Sequence, residues 1–234
     1  IKNTRFKLNE KQNKFIDLVL AGHHVFLTGF AGTGKSYALE QLFKILDHQN
    51  VLYGKTSSTG VSAVNIGGST IHSFASMGLG DLSKELTLKN VFKYKKGKKR
   101  IEKCQILIID EVSMLKASFL DKLNYVFQKV RGIGTPFGGC SVILVGDFLQ
   151  LPAIIRAEEK DGMAFESDVW NQLDLKNVYL KEIIRQKNPE FAKLLSEIRL
   201  GVSDNISLLD QCLGREIEGD IDPVKIYTKN KHVD

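Results

Sequence analysis

Short, unbroken apolar runs alternate along this chain with stretches whose apolar residues recur every three or four positions. The first kind marks buried strands and the second amphipathic helices. Asn9 stands where it can cap an opening helix that carries Phe15, Leu18 and Val19 on one face. Val25–Thr28 reads as a first strand, and Leu39, Leu42, Phe43 and Leu46 mark a helix running to about Asp47. Val51–Thr56 is a second strand. Ile106–Ile109 has no polar position, as a central parallel strand covered on both faces requires. Phe119, Leu120, Leu123, Val126 and Phe127 have helical spacing and predict a helix from about Ala117 to Val130. Val142–Val145 is another buried strand, with Val178–Leu180 and Val224–Tyr227 as later ones. Between these last two, a helix starts at Pro189 and ends at Gly201. Such alternation predicts an α/β fold, a parallel sheet flanked by helices. No internal repeat or low-complexity segment interrupts it.

The 234 residues suit one large domain, or one with appendages. A hydrophobic content of 43% with 26% charged residues supports a folded, soluble chain. No apolar run reaches the roughly 18 residues that span a bilayer, so no membrane partner is expected. The start, Ile1-Lys2-Asn3, has neither an initiator Met nor a signal-peptide core and reads as an internal cut in a longer protein. Cys104, Cys140 and Cys212 lie far apart with no C-x-x-C pairing. That argues against zinc or a disulfide framework and for isolated core thiols in a reducing, intracellular compartment. Nucleus, mitochondrion and virus-infected cytoplasm are not distinguished. The net charge of +6 favours a polyanionic partner. Much of that excess lies in Lys93, Lys95, Lys96, Lys98, Lys99 and Arg100, where a solvated loop or helix end explains the run as well as nucleic acid does.

The chemistry concentrates after the strands. Gly29-Phe30-Ala31-Gly32-Thr33-Gly34-Lys35-Ser36 fits the G-x-x-x-x-G-K-[S/T] phosphate loop, between a strand and a helix as that motif needs. Its glycines let backbone N–H groups close around a polyphosphate. Lys35 would reach the β- and γ-phosphates of ATP, Ser36 would hold Mg²⁺, and the helix N-terminus adds partial positive charge. Asp110-Glu111 follows the central strand, at the carboxyl edge where the phosphate loop also lies. Asp110 is the Mg²⁺ carboxylate, and Glu111 the base that orients the attacking water. Gln150, in Gly146-Asp147-Phe148-Leu149-Gln150-Leu151-Pro152, could sense the γ-phosphate. Arg185 could neutralise charge on the transferred phosphoryl group. The hydroxyl- and glycine-rich stretches around Ser58, Thr59 and Gly60, and around His72, Ser73 and Phe74, suit a phosphodiester backbone. Phe74 and His72 could stack on bases, but on the residues alone core packing for Phe74 and a structural hydrogen bond for His72 are the preferred readings.

Together these motifs resemble the PIF (petite integration frequency) family of superfamily-one helicases. The resemblance rests on Gly29–Ser36, Ser58–Ala63, Thr70–Phe74, Leu107–Met114, Gly146–Pro152 and Arg185-Gln186, and on Leu120-Asp121-Lys122-Leu123 with Pro136-Phe137-Gly138-Gly139. Phe165–Trp170 and Glu197–Gly201 are similar to further family segments, and Gln12 to its adenine-reading glutamine. Ala153 departs from the second Pro more common there. The resemblance implies a RecA-like P-loop NTPase domain over residues 1–223, with 224–234 starting a crossing into a second RecA-like domain. It implies ATP-driven 5′-to-3′ translocation on single-stranded DNA and unwinding of forked duplex by a monomer, in DNA replication, recombination and repair. The family's later motifs, including an Arg completing the ATP site, lie past residue 234, so weak hydrolysis is expected of this chain alone. Two alternatives stay open: a RecD-like helicase of the same superfamily, and an ATP-gated single-strand-binding module without turnover. A generic P-loop kinase would leave residues 57–74 without a task.

Overall fold

Four consecutive apolar residues, Ile106–Ile109, leave their strand no face that water can wet, so both faces must be covered. A computed structural model shows how; it describes residues 8–78, 82–155, 158, 160–202, 207–210, 213 and 214. The elements run α1 (Glu10–Leu20), β1 (Val25–Gly29), α2 (Lys35–His48), β2 (Tyr53–Ser57), α3 (Gly60–Asn65), β3 (Ser69–Thr70) and α4 (Ile71–Ala75). Then come α5 (Lys84–Lys93), α6 (Lys95–Lys103), β4 (Ile106–Asp110), α7 (Ala117–Arg131), β5 (Ser141–Val145), α8 (Asp168–Gln172) and β6 (Lys176–Leu180). Six strands form one sheet in the order β3-β2-β4-β5-β1-β6. Every pairing is parallel. The expected α/β class is therefore the observed one.

Alternation within β4 and β5 sorts their side chains onto two faces. Leu107, Ile109, Val142 and Leu144 pack with Ile71, Phe119, Leu120, Leu123 and Phe127 from α4 and α7. Ile106, Ile108, Ile143 and Val145 pack with Phe15 and Val19 of α1 and Leu39, Leu42 and Leu46 of α2. All five residues of β4 are buried. A parallel sheet sends all its strand ends to one edge, so the loops after β1, β2, β4, β5 and β6 share it.

Predicted strands and observed ones differ by one to three residues at their ends, where pairing rather than hydrophobicity sets the limit. The stretch between Ser57 and Lys103, hydroxyl-rich and then basic in sequence, folds into α3, β3, α4, α5 and α6. Among the described residues no helix is long and apolar enough to cross a membrane. Cys104 and Cys140, distant in sequence, precede adjacent strands as buried free thiols within hydrogen-bond reach of each other. A second unit begins at Asn188. In it α9 (Pro189–Leu200) is capped by the Asn188 side chain and ended by Gly201 at φ 69°, as the sequence predicted. Cys212, the strand expected at Val224–Tyr227 and the crossing at 224–234 lie outside the described residues.

Two of the quoted family segments are braces. Asp121 accepts from the backbone N–H of Val169 (2.9 Å) and Asp168 (3.3 Å), holding the start of α8. Asn124 accepts from the Phe137 N–H at 2.7 Å, where Phe137, Gly138 and Gly139 all have positive φ. Arg131 then ties three elements: Nε donates to the Gly138 carbonyl (2.7 Å), and Nη1 to those of Ile101 (3.0 Å), Glu102 (3.2 Å) and Cys104 (2.8 Å). A cation on the last carbonyls of α6 offsets orphan acceptors and the helix dipole together. Arg131→Ala should therefore lower folding stability by about 2–4 kcal/mol. Urea denaturation measures it, and a loss under about 0.5 kcal/mol, the level of a neutral surface change, would remove Arg131 from that role.

Candidate active site

The phosphate loop bridges β1 and α2. Gly32 (φ 76°) and Gly34 (φ 86°) hold left-handed backbone conformations that a side chain disfavours. Space forbids one as well: a Cβ on Gly32 would sit 2.7 Å from Cβ of Arg185, and one on Gly34 2.5 Å from Nε2 of Gln12. Thr33 is fully buried, its hydroxyl donating to the Phe30 carbonyl at 2.8 Å. The Lys35 ammonium folds back onto the loop, donating to the carbonyls of Gly29 (2.8 Å) and Phe30 (3.1 Å). Ala31 and Ser36 are exposed at the mouth.

Asp110 ends β4 with 8% of its surface exposed. Burial, then the neighbouring Glu111 carboxylate, push its carboxyl up to about 6, against the pull of the Glu111 N–H (3.0 Å) and of Lys35. The chain then turns sharply, because Glu111 has φ 53° and ψ 45°. A non-glycine residue held there is strained, and its surroundings must hold it. Ser58 does so by donating from Oγ to the Glu111 carbonyl at 2.8 Å, as does the Met114 N–H at 3.1 Å. Beside it, the Asp110 carbonyl accepts from the Ser57 hydroxyl and the Ser58 N–H, both at 3.1 Å.

After β5, Asp147 is 2% exposed and accepts from Nε2 of Gln150 (2.9 Å) and from the Leu149 N–H (3.2 Å). It thereby aims Gln150, a role that inspection of the motif alone did not assign. Phe148 anchors the same turn, its ring 4.8 Å from Phe165 and 5.7 Å from both Phe26 and Trp170. After β6, the N–H groups of Ile184 (2.8 Å) and Arg185 (3.1 Å) both donate to the Gly32 carbonyl. This bond pair fixes Arg185 against the phosphate loop. On the other side Gln12 is 1% exposed, closes a capping box with Asn9, and donates from Nε2 to the Gly34 carbonyl at 3.2 Å.

These segments enclose a cleft of about 560 Å³. Gln12, Ala31, Gly32, Gly34, Lys35, Ser36, Glu111, Gln150 and Arg185 all line it. Gly29, Thr33 and Asp110 lie behind this lining. Tyr37 and Ile184 complete the wall. Neither stood out in the sequence, where Tyr37 is one more helix residue and Ile184 merely precedes Arg185. The volume is in the range of small-ligand and cofactor pockets.

The residues expected to face a polymer do not line the cleft. Thr59 caps α3 by accepting from the Ser62 N–H (3.2 Å), and Thr70 caps α4 likewise. Gly60 and Ser73 are exposed. His72 is half-buried, its ring centroid 4.4 Å from that of Phe119. The expectation of base stacking by Phe74 is corrected: it is 8% exposed, its ring fills the space a Cβ on Gly54 would need, and Arg100 lies 5.4 Å above it.

The family model of PIF1-like helicases matches residues 7–208. The ATP-dependent DNA helicase PIF1 of Saccharomyces cerevisiae (strain YJM789) is 37% identical over 236 aligned positions, covering 97% of this chain and 27% of that protein. The Danio rerio protein of the same name is 40% identical over 196 positions, 83% of this chain and 30% of its own length. The crystal structure of Pif1 helicase from Candida albicans superposes with a TM-score of 0.90 at 37% identity, over 97% of this chain and 53% of that one. Pif1 helicase from Bacteroides in complex with ADP-AlF3 and ssDNA gives 0.83 at 31% identity, over 93% and 52%. The chain thus spans about a third or less of these curated relatives and about half of the solved chains. With a family match over most of its length and a RecA-like sheet that carries the motifs in order, this chain belongs to the PIF1-like helicase family.

Proposed function

We propose that this chain is the first RecA-like lobe of an ATP-dependent DNA helicase, binding ATP and Mg²⁺ in the 560 Å³ cleft and single-stranded DNA along α3 and α4. The observation that carries the reading is the meeting of Lys35, Glu111, Gln150 and Arg185 around one cleft at the carboxyl edge of the sheet. The ADP-AlF3 and ssDNA held by the Bacteroides relative support it. The parent protein would couple hydrolysis to 5′-to-3′ movement and unwind forked duplex as a monomer. Its second RecA-like domain would supply the remaining half of the ATP site.

On this reading Lys35 exchanges the Gly29 and Phe30 carbonyls for phosphate oxygens, with the first amides of α2 as further donors. Ser36 and Asp110 would hold Mg²⁺, which neutralises phosphate charge when bound. They fit it: a carboxyl pushed up by burial beside a second carboxylate is a group that a cation relieves. Glu111 takes the proton of the attacking water, Gln150 meets the γ-phosphate, and Arg185 offsets the charge that develops there. The water oxygen bonds to phosphorus as the bond to the ADP oxygen breaks.

Steady-state ATP hydrolysis tests this directly. The chain extended through the second lobe should be stimulated at least tenfold by single-stranded DNA and this chain alone barely. Glu111→Gln should lower kcat by about 10²–10⁴ while nucleotide affinity stays within about threefold. No DNA response in either form, or a variant retaining a tenth of its turnover, would overturn the helicase reading.

Asp110 gives a second test through stability. Its folded pKa is raised, so the folded state holds the proton more tightly. That contribution is fully present below the unfolded value near 4 and is lost as pH rises through about 6. Urea titrations of the nucleotide-free chain should show about 3 kcal/mol of stability lost across this window relative to Asp110→Asn. Mg²⁺-ADP, favouring the ionised form, should shrink the difference. Parallel pH profiles for the two proteins would show that Asp110 is not held protonated.

A further inference from the structure

The basic run of α6 has no part in the ATP site, yet it shapes a second cleft of about 500 Å³. Lys96, Lys99, Arg100 and Lys103 form its cationic wall, over a floor of Leu52, Tyr53 and Phe74. Their positions i, i+3, i+4 and i+7 place all four on one face of the helix, a stripe about 10 Å long. Four like charges so arranged destabilise a helix unless something neutralises them. On this face no carboxylate among the described residues does, and Arg100 has only the Ser73 carbonyl. Lys98 has its own partner, Glu102 at 3.4 Å, but Lys96, Lys99 and Lys103 pair with no carboxylate among the described residues. The single Gly97 in the run explains how the helix is seated: a Cβ there would collide with Ser76, so the glycine lets α6 close against the end of α4.

That seating joins the cleft to the segment assigned to DNA. Arg100 donates from Nη2 to the Ser73 carbonyl at 2.6 Å and covers the Phe74 ring. The stripe therefore starts beside Ser76, at the end of α4, and runs away from it toward the amino edge of the sheet. Phe74 lies buried beneath Arg100, so the surface left to a ligand is the exposed Leu52 and the half-buried Tyr53 beside the cationic wall, which together meet both halves of an unpaired nucleotide, its base and its phosphate. A duplex offers the floor only stacked, inaccessible bases.

We infer that the α6 cleft is an extension of the single-stranded DNA track, taking the phosphates and an unstacked base of the strand beyond the part that contacts α3 and α4. The inference rests on the single-strand reading above and lengthens the track that this lobe alone can hold.

The test is fluorescence anisotropy with oligo(dT) of 6 and 20 nucleotides and a blunt 20-bp duplex, on this chain and on the triple variant Lys96→Ala/Lys99→Ala/Lys103→Ala. On the 20-mer the variant should bind at least tenfold more weakly at 0.1 M salt. Its slope of log K against log salt should be shallower by about 2, the counterion release of three single-strand phosphate contacts. On the 6-mer, which α3 and α4 accommodate alone, the two proteins should agree within about twofold. Fluorescent ADP should bind both equally, confirming an intact fold. Equal 20-mer affinities and slopes would overturn the inference. So would a loss of the same size on the duplex, which would make the stripe a general polyanion surface. If the unaltered chain binds no oligonucleotide of either length, the single-strand reading itself falls, a result distinct from equal binding by the two proteins.

Discussion

The structure depends on burying β4 and β5 on both faces. Ile106 to Ile109 and Val142 to Val145 are closed to water by α1 and α2 on one side and by α4 and α7 on the other. Strands of this kind must be parallel and joined by crossovers, because nothing shorter leaves room for two helical layers. From that constraint the site follows. Each strand ends at the same edge, and four of the six endings carry one polar instrument: a phosphate loop after β1, an acidic pair at β4, an oriented glutamine after β5 and an arginine after β6. Hydrophobic burial fixes their spacing, and a few hydrogen bonds adjust it by ångströms.

Those adjustments are mostly bonds to backbone carbonyls. The Gly32 carbonyl accepts from two successive N–H groups, locking Arg185 to the loop it serves. The Gly34 carbonyl accepts from Gln12, so the N-terminal helix rests on the same loop. Backbone acceptors cannot rotate away, which makes them better fixing points than flexible side chains. The glycines matter twice here, for their left-handed geometry and because Gln12 and Arg185 occupy the volume a Cβ would fill.

Legibility in the sequence followed the length of each signal. Helices of eleven residues or more, α1, α2, α7 and α9, were read from their periodicity and caps, and the apolar strands from their runs. In α3 and α4, with six and five residues, no period can establish itself, and their caps, Thr59 and Thr70, do not stand out among the neighbouring hydroxyls. In α6 just Gly97 and Ile101 are buried, so its amphipathicity rests on charge rather than on apolar residues and reads equally as a loop. The chemistry of the cleft was legible because strand endings and motif spacing place it. Asp147 was not, since its work is to hold Gln150 and that contact closes only in three dimensions. For Phe74 the residues alone favour core packing and only the family resemblance placed it at DNA; Gly54 opens a hole in the sheet face that its ring fills.

One connection ties the proposed polymer face to the proposed hydrolytic base. Ser57 and Ser58 leave β2 and bond to the carbonyls of Asp110 and Glu111, and Thr59, next in sequence, caps α3. Glu111 has a left-handed backbone, and the bonds to its carbonyl help to hold it there. The link from α3 to the acidic pair is therefore short: Thr59 is one residue from Ser58, whose hydroxyl reaches the strained turn of the base through a 2.8 Å bond. Coupling of this kind needs no long pathway, only two arrangements of one turn that both ligands bias.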